Sequence, residues 1–186
     1  MNKPVDSKYV QVFDNVITKE FCEYLINKFH ENKDRWEVHE NDLFTFNQIN
    51  LVNNMDLYEE EVNNLMEKFQ HMVEQYAYHA NIADIQFPRE YGFEAIRMKH
   101  YPADKGVFKP HIDANDVESM RRFLVFFLYL DEGEGGETAL YDQGINIPRK
   151  PGRLLMFPPT WTFPHAGNMP IGNDKHIIGS YLHYVK

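Results

Sequence analysis

At 186 residues, with 43% apolar and 15% aromatic content, the chain is long enough to bury a substantial core and fits one domain better than two. A formal net charge of −9 disfavours phosphate-backbone binding, which rests on clustered Lys and Arg, and there is no apolar run of the length a membrane span needs. Cys22 is the single cysteine, so no internal disulfide can form, and Met1 to Asp6 carry no apolar signal core; a cytoplasmic setting is expected.

In chain order, Val10 to Phe13 alternates weakly as a short strand, and Asp14-Asn15 turns into a helix that Thr18 can cap, with Phe21, Leu25 and Phe29 on one face. Residues 31–54 are rich in Asn, Asp and Glu. Leu43, Phe44, Phe46 and Ile49 argue for order there, as a loop or short strand that could act as a lid. Asp56 with Glu59 resembles a capping pair for a second helix, whose stripe is Val62, Leu65, Phe69, Val73 and Tyr76 and which should end near Asn81.

From Phe87-Pro88 the pattern changes to strand-like runs at Tyr91 to Tyr101, Phe123 to Leu130, Thr138 to Tyr141, Arg153 to Phe157 and His176 to Val185. The run Arg121 to Leu130 is apolar on both faces and should be central. Asp131 to Gly136 is a turn. Lys33-Asp-Arg35 and Pro148-Arg-Lys-Pro151 read as solvated surface, and Cys22 as a small apolar core residue. The expected fold is α+β with a mainly β core, a double-sheet barrel or jelly roll in residues 87–186. Residues 1–86 would buttress it with helices within a single domain.

The chemistry concentrates at Pro110-His111-Ile112-Asp113. In a strand, residues i and i+2 share a face, so His111 and Asp113 can reach one point. His165, in the Pro- and Gly-flanked segment Trp161 to Gly167, is a third candidate ligand. Two histidines and a carboxylate on one face of a metal leave positions open, as in non-heme Fe(II) oxygenases, although Zn, Ni or Mn would fit the same donors. His30, His71 and His79 fall in helical segments and His39 in a polar loop, where surface placement is the default.

From about Tyr91 to His183 the sequence resembles the catalytic core of Fe(II)/2-oxoglutarate-dependent oxygenases, in their prolyl 4-hydroxylase-like branch. The shared features, in order, are Tyr101, Pro110-His111-x-Asp113, Arg122 leading to Tyr129-Leu130, Gly135-Gly136-Glu137-Thr138, Pro148 to Gly152, Phe157, His165-x-Gly167 and Lys175. The chain departs from many relatives in having Phe108 for Tyr and Val125 for Thr. The resemblance implies a double-stranded β-helix, with His111, Asp113 and His165 as iron ligands and catalytic centre. It implies 2-oxoglutarate held by Lys175 with Tyr101, Tyr129 and Thr138, O2 as co-reactant, and ascorbate keeping the iron ferrous. Arg122, Tyr181 and His183, and Arg97 on the first core strand, are the expected substrate contacts.

A peptide or protein proline is the expected substrate. A free amino acid or other small molecule is the alternative for an oxygenase with the same triad and Lys175. A nucleic-acid demethylase is disfavoured by the sparse basic surface, and no membrane partner is expected. A non-enzymatic metal-, sugar- or peptide-binding barrel would be expected to lose a triad member, and all three stand here.

Overall fold

The computed structural model describes residues 7–185; Met1 to Asp6, which bear on the signal reading above, lie outside the described residues. Twelve strands form one curled ladder, in the order β1-β10-β7-β12-β5-β3-β6-β11-β8-β9. They are β1 (Gln11–Phe13), β2 (Glu37–Glu40), β3 (Phe44–Asn50), β4 (Tyr91–Phe93), β5 (Arg97–Tyr101), β6 (Val107–His111), β7 (Arg122–Tyr129), β8 (Thr138–Leu140), β9 (Ile145–Ile147), β10 (Arg153–Phe157), β11 (His165–Gly167) and β12 (Lys175–Tyr184). β2 hangs on β3, and β4 on β12. The curl brings β8 and β11 over the face of β7 and β10: the Tyr129 hydroxyl donates to Thr138 Oγ1 at 2.6 Å, and the His165 ring packs 4.9 Å from Phe157 and 5.9 Å from Phe127. This is the jelly-roll arrangement expected.

Strand β7 shows how sequence becomes layering. Leu124, Phe126 and Leu128 alternate outward and, with the following Leu130, join the core beneath the helices, while Val125, Phe127 and Tyr129 point into the barrel. The period of two forces this split, and a strand buried on both faces must be apolar throughout. It is central, between β10 and β12. Each fully buried Leu or Phe contributes about 1.5–3 kcal/mol, so β7 is a main source of cohesion between the two layers.

Two helices cover the outer face. Helix α1 (Lys19–Glu31) starts where Thr18 Oγ1 accepts the Phe21 amide at 3.2 Å, and it buries Cys22, Leu25 and Phe29. Helix α2 (Met55–His79) buries Val62, Leu65, Phe69, Val73 and Tyr76 as its periodicity predicts. Its start differs: Asn54 precedes it without a side-chain cap, Tyr58 breaks the helical dihedrals, and Asp56 pairs instead with Arg35 at 3.0 Å. No described helix is long and apolar enough to cross a membrane.

Other expectations change or narrow. The run Tyr91 to Tyr101 is two strands, because the chain leaves the ladder at Glu94 and rejoins the same partner, β12, at Arg97. Within residues 31–54, where a loop or a short strand was expected, Phe44–Asn50 form β3, which sits between β5 and β6 as part of the barrel wall. Arg149, read as surface, is 4% exposed and donates to Asp131 Oδ1 (2.9 Å), Asn173 Oδ1 (2.7 Å) and the Asp174 carbonyl (2.6 Å). His30, also read as surface, turns inward from α1 against His100 and His176; burial, then those two rings, push it down to about 4.

Candidate active site

The triad is assembled at the open end of the barrel by cross-strand pairing. His111 ends β6 and His165 begins β11, directly opposite each other in an antiparallel register, and Asp113 lies two residues beyond β6. Each imidazole is oriented by its own backbone: His111 Nδ1 faces the Lys109 carbonyl at 2.7 Å and His165 Nδ1 the Phe163 carbonyl at 3.1 Å. A proton on Nδ1 satisfies those carbonyls and leaves both Nε2 lone pairs turned to Asp113. His111 Nε2 is 3.4 Å from Asp113 Oδ1, and His165 Nε2 is 3.4 Å from Asp113 Oδ2. Phe108 fixes the His111 plane by stacking on it, with centroids 3.6 Å apart and planes 10° apart.

The donors fit a metal ion. One ligand atom from each residue lies within 4.8 Å of the others, and His165 Nε2 and Asp113 Oδ2 are buried without a hydrogen-bond partner among the described residues. Burying two polar atoms unsatisfied is costly, and a cation between them would satisfy both. Burial pushes the Asp113 carboxyl up, but the His165 and His111 imidazoles outweigh it and hold it well below the usual carboxylate range. The ligand is therefore anionic.

Lys175, Ile177 and Tyr181 project inward from β12 beside Lys99 and Tyr101 from β5, and this set lines a pocket with the triad, Phe108, Phe127, Thr138 and Gly167. Lys175 is 1% exposed, with its Nζ 5.0 Å from the Tyr101 ring centroid and 5.8 Å from that of Tyr129. No carboxylate pairs with it among the described residues, and burial pushes it down to about 7. A Cβ on Gly167 would sit 3.6 Å from Lys175 Nζ and 3.6 Å from Phe108 Cβ, so the missing side chain keeps the space before the ammonium clear. An unpaired buried ammonium behind a metal site fits a dicarboxylate whose far end supplies the counter-charge. Tyr129 and Thr138 stand there but are bonded to each other, at 2.6 Å.

The expected substrate residues divide between two spaces. Arg97, Arg122 and His183 line an outer cleft of about 530 Å³ that reaches Asp113, whereas Tyr181 faces the inner pocket. Arg122 is firmly held: its Nε and Nη2 donate to Glu94 at 2.8 and 3.0 Å, its Nη1 to the Asp113 carbonyl at 3.0 Å, and its guanidinium lies 4.1 Å from the Tyr181 ring centroid. It therefore braces the Asp113 backbone as well as bordering the cleft.

Two site residues escaped the sequence reading. Lys99 enters the inner pocket with its Nζ 4.6 Å from the Phe46 ring centroid, and burial pushes it down to about 8. Its position two before Tyr101 on one strand was the available signal. Glu94 carried none, because its role depends on the break between β4 and β5.

Residues 96–183 match the family model of the 2OG-Fe(II) oxygenase superfamily, and no curated protein sequence matches the chain. Among solved structures, the viral collagen prolyl hydroxylase of Paramecium Bursaria Chlorella virus-1, in its 2OG complex, superposes with a TM-score of 0.72 at 18% identity, covering 96% of this chain and 97% of that one. A Pseudomonas putida prolyl-4-hydroxylase gives 0.68 at 13% identity over 96% and 94% of the two chains. A Trichoplax adhaerens prolyl hydroxylase, in complex with a hypoxia inducible factor oxygen degradation domain peptide fragment, gives 0.71 at 13% over 95% and 84%. The family's cofactor and cosubstrates are Fe(II), 2-oxoglutarate and O2, and the triad and the Lys175 pocket fit the first two. Residues 96–183 are thus similar to the 2OG-Fe(II) oxygenase superfamily, and the chain carries the fold seen in prolyl hydroxylases.

Proposed function

We propose that this protein is a 2-oxoglutarate-dependent dioxygenase that hydroxylates a prolyl residue of a peptide or protein. The observation that carries the reading is the meeting of two cavities at Asp113. The inner one holds the unpartnered triad donors and Lys175, and the outer cleft opens on the same carboxylate. A cosubstrate in the inner pocket and a substrate in the cleft thus converge on one metal position. The fold shared with prolyl hydroxylases favours a peptide in that cleft.

Bound iron would supply O2 activation coupled to oxidative decarboxylation of 2-oxoglutarate to succinate and CO2, with ascorbate keeping the metal ferrous. The protein's share is placement. His111, Asp113 and His165 fix the metal on one side, and Arg122 holds the Asp113 backbone. Lys175, protonated, receives the distal carboxylate, and Tyr129 can turn its hydroxyl from Thr138 to the same group. Tyr101 and Phe108 close the pocket against water, so the charge pairing there acts in a low dielectric. Arg97, Arg122 and His183 border the substrate, and Tyr181 stands between the two spaces.

A second reading follows from the cleft's charge. Arg97, Arg121 and Arg122 line it together with Glu94, Asp116 and Glu118, a mixed lining that suits the two charges of a free amino acid. The deciding experiment incubates the protein with Fe(II), 2-oxoglutarate, ascorbate and a panel of proline-containing peptides and free amino acids. Succinate is quantified and the product is analysed by mass spectrometry. Peptide proline gaining one oxygen atom is expected; oxidation of free amino acids alone moves the assignment to a small-molecule oxygenase. A panel that yields neither succinate nor oxidised product sinks the oxygenase reading.

A further inference from the structure

On the opposite face of the same strands lies a second convergence of metal-binding side chains. His100 on β5 and His176 on β12 are direct cross-strand partners, both turned outward because Tyr101 and Lys175, their neighbours in sequence, face the barrel interior. Their rings stack with centroids 4.9 Å apart and planes 18° apart. Helix α1 completes the group by lowering His30 onto them: its ring lies 5.2 Å from that of His100 and 5.0 Å from that of His176, and the two Nε2 atoms of His30 and His176 are 2.9 Å apart. One ring nitrogen from each of the three lies within 4.8 Å of the others.

The far sides of two rings are already anchored. Asp131 Oδ2 is 2.7 Å from His176 Nδ1, and the Asn47 side-chain amide is 3.2 Å from His100 Nδ1. The Asp131 carboxylate accepts the His176 Nδ1 proton and so presents Nε2 to a metal, whereas Asn47 Nδ2 donates to His100 Nδ1, and that amide must turn its oxygen to the ring before His100 Nε2 can ligate. His100 Nε2 is buried without a hydrogen bond among the described residues, although Asp174 Oδ2 stands 2.9 Å away in poor alignment. That carboxylate is a fourth donor, and its 43% exposed side chain opens the site to solvent. Nitrogens around a tetrahedral zinc lie about 3.3 Å apart, from Zn–N bonds of about 2.0–2.1 Å, so the three rings, whose nitrogens lie within 4.8 Å of one another, must draw together, and Asp174, which stands beside His100 and outside that group, must turn further in.

We propose that His30, His100 and His176, with Asp174 as the fourth donor, form a second metal site for a zinc-type divalent ion, separate from the triad. Three imidazoles and a carboxylate are the donor set of a four-coordinate structural site, and the ion would tie α1 to β5 and β12. The site is independent of the reaction assigned to the barrel interior.

The test uses the full chain, stripped with a chelator and titrated with Zn2+ by calorimetry, with Co2+ as a visible-absorbing stand-in. Wild-type protein is expected to bind two ions. The Asp113→Ala, His165→Ala double variant should keep one, with Co2+ bands of tetrahedral type and a melting temperature raised by Zn2+. Adding His30→Gln to that variant should weaken the remaining site at least a hundredfold and abolish the Zn2+-dependent rise. Gln can retain a hydrogen bond to His176, so folding is preserved as judged by circular dichroism. A triad variant that binds no Zn2+, or binding that survives His30→Gln, overturns the proposal and leaves the three rings as a packing cluster.

Discussion

Arg149 and Lys175 are both buried cations, and a Cβ added to Gly136 would come within 3.1 Å of Arg149 Nε and 3.2 Å of Lys175 Cδ. They are treated differently by the fold. Every edge of the Arg149 guanidinium meets an oxygen, from Asp131, Asn173 and the carbonyls of Gly135, Glu134 and Asp174. Lys175 has only the faces of Tyr101 and Tyr129. The same contrast separates the turns that close the barrel from its interior. Around Arg149 the partners are built in; Asp113, His165 and Lys175 are left wanting partners, which the proposed function would supply as ligands.

Breaking the contrast at the triad should have the largest effect. Anaerobic Fe(II) with 2-oxoglutarate should give a weak visible charge-transfer band in the wild-type protein, and Asp113→Ala should remove both band and succinate formation. An unchanged band would detach Asp113 from the metal. Arg149→Met comes next, expected to cost about 3–5 kcal/mol in urea unfolding, because it leaves Asp131 Oδ1, Asn173 Oδ1 and several carbonyls without their donor, although Asp131 Oδ2 keeps His176. A cost under about 1 kcal/mol would mean that these contacts contribute little.

Lys175→Met should act in two opposite directions. It should raise the 2-oxoglutarate dissociation constant about 10–100-fold, the worth of a lost charge-assisted bond, while leaving Fe(II) affinity unchanged. It should also stabilise the ligand-free protein by about 1 kcal/mol or more at neutral pH, because an unpaired buried ammonium gives way to an apolar chain of similar length. Lys175 titrates at about 7 when folded and at about 10.4 when unfolded. The unfolded chain therefore holds the extra proton between those values, wild-type stability rises with pH across the window, and the advantage of Lys175→Met should shrink from pH 7 to pH 10. A variant that is less stable than wild type at pH 7 would show that Lys175 has a partner in the ligand-free state.

Much of this was legible in the sequence, for a physical reason. β7 could be placed because a strand buried on both faces leaves an uninterrupted apolar run; the pairing of His111 with Asp113 was expected from a strand's period of two, although β6 ends at His111 and Asp113 lies just beyond it. Local rules failed where a residue's partners are remote. Arg149 sits between Pro148 and Lys150 and looks solvated, yet its carboxylate partner is Asp131 and its amide partner Asn173. His30 reads as a polar position on an amphipathic helix, because nothing near it announces the His100–His176 pair laid down by strands seventy and more residues away. Lys99 and Glu94 were hidden for related reasons, the first by a lysine's usual preference for water and the second by an unforeseen break in a strand.

The smallest expected effect lies at the surface, where Asp14 accepts from Arg153 Nε at 2.7 Å, Arg153 Nη2 at 3.1 Å and Lys150 Nζ at 3.0 Å. Hydrogen bonds from Arg153 and then Lys150 hold its carboxyl down at about 2. The group is largely solvated, so the pair is screened, and Asp14→Asn should cost under about 1 kcal/mol at pH 7. Because the folded carboxyl titrates below the unfolded one, its contribution is present above about pH 4 and is lost as pH falls towards about 2. Urea midpoints of wild type and Asp14→Asn should therefore differ slightly at pH 7, draw together below about pH 4 and converge at about pH 2, and converge also at pH 7 in 1 M salt, where the Debye length falls to about 3 Å. A difference that persists in acid and in salt would mean that Asp14 holds β1 against the turn before β10 through its hydrogen-bond geometry, as Arg149 holds its own turn, and not through charge.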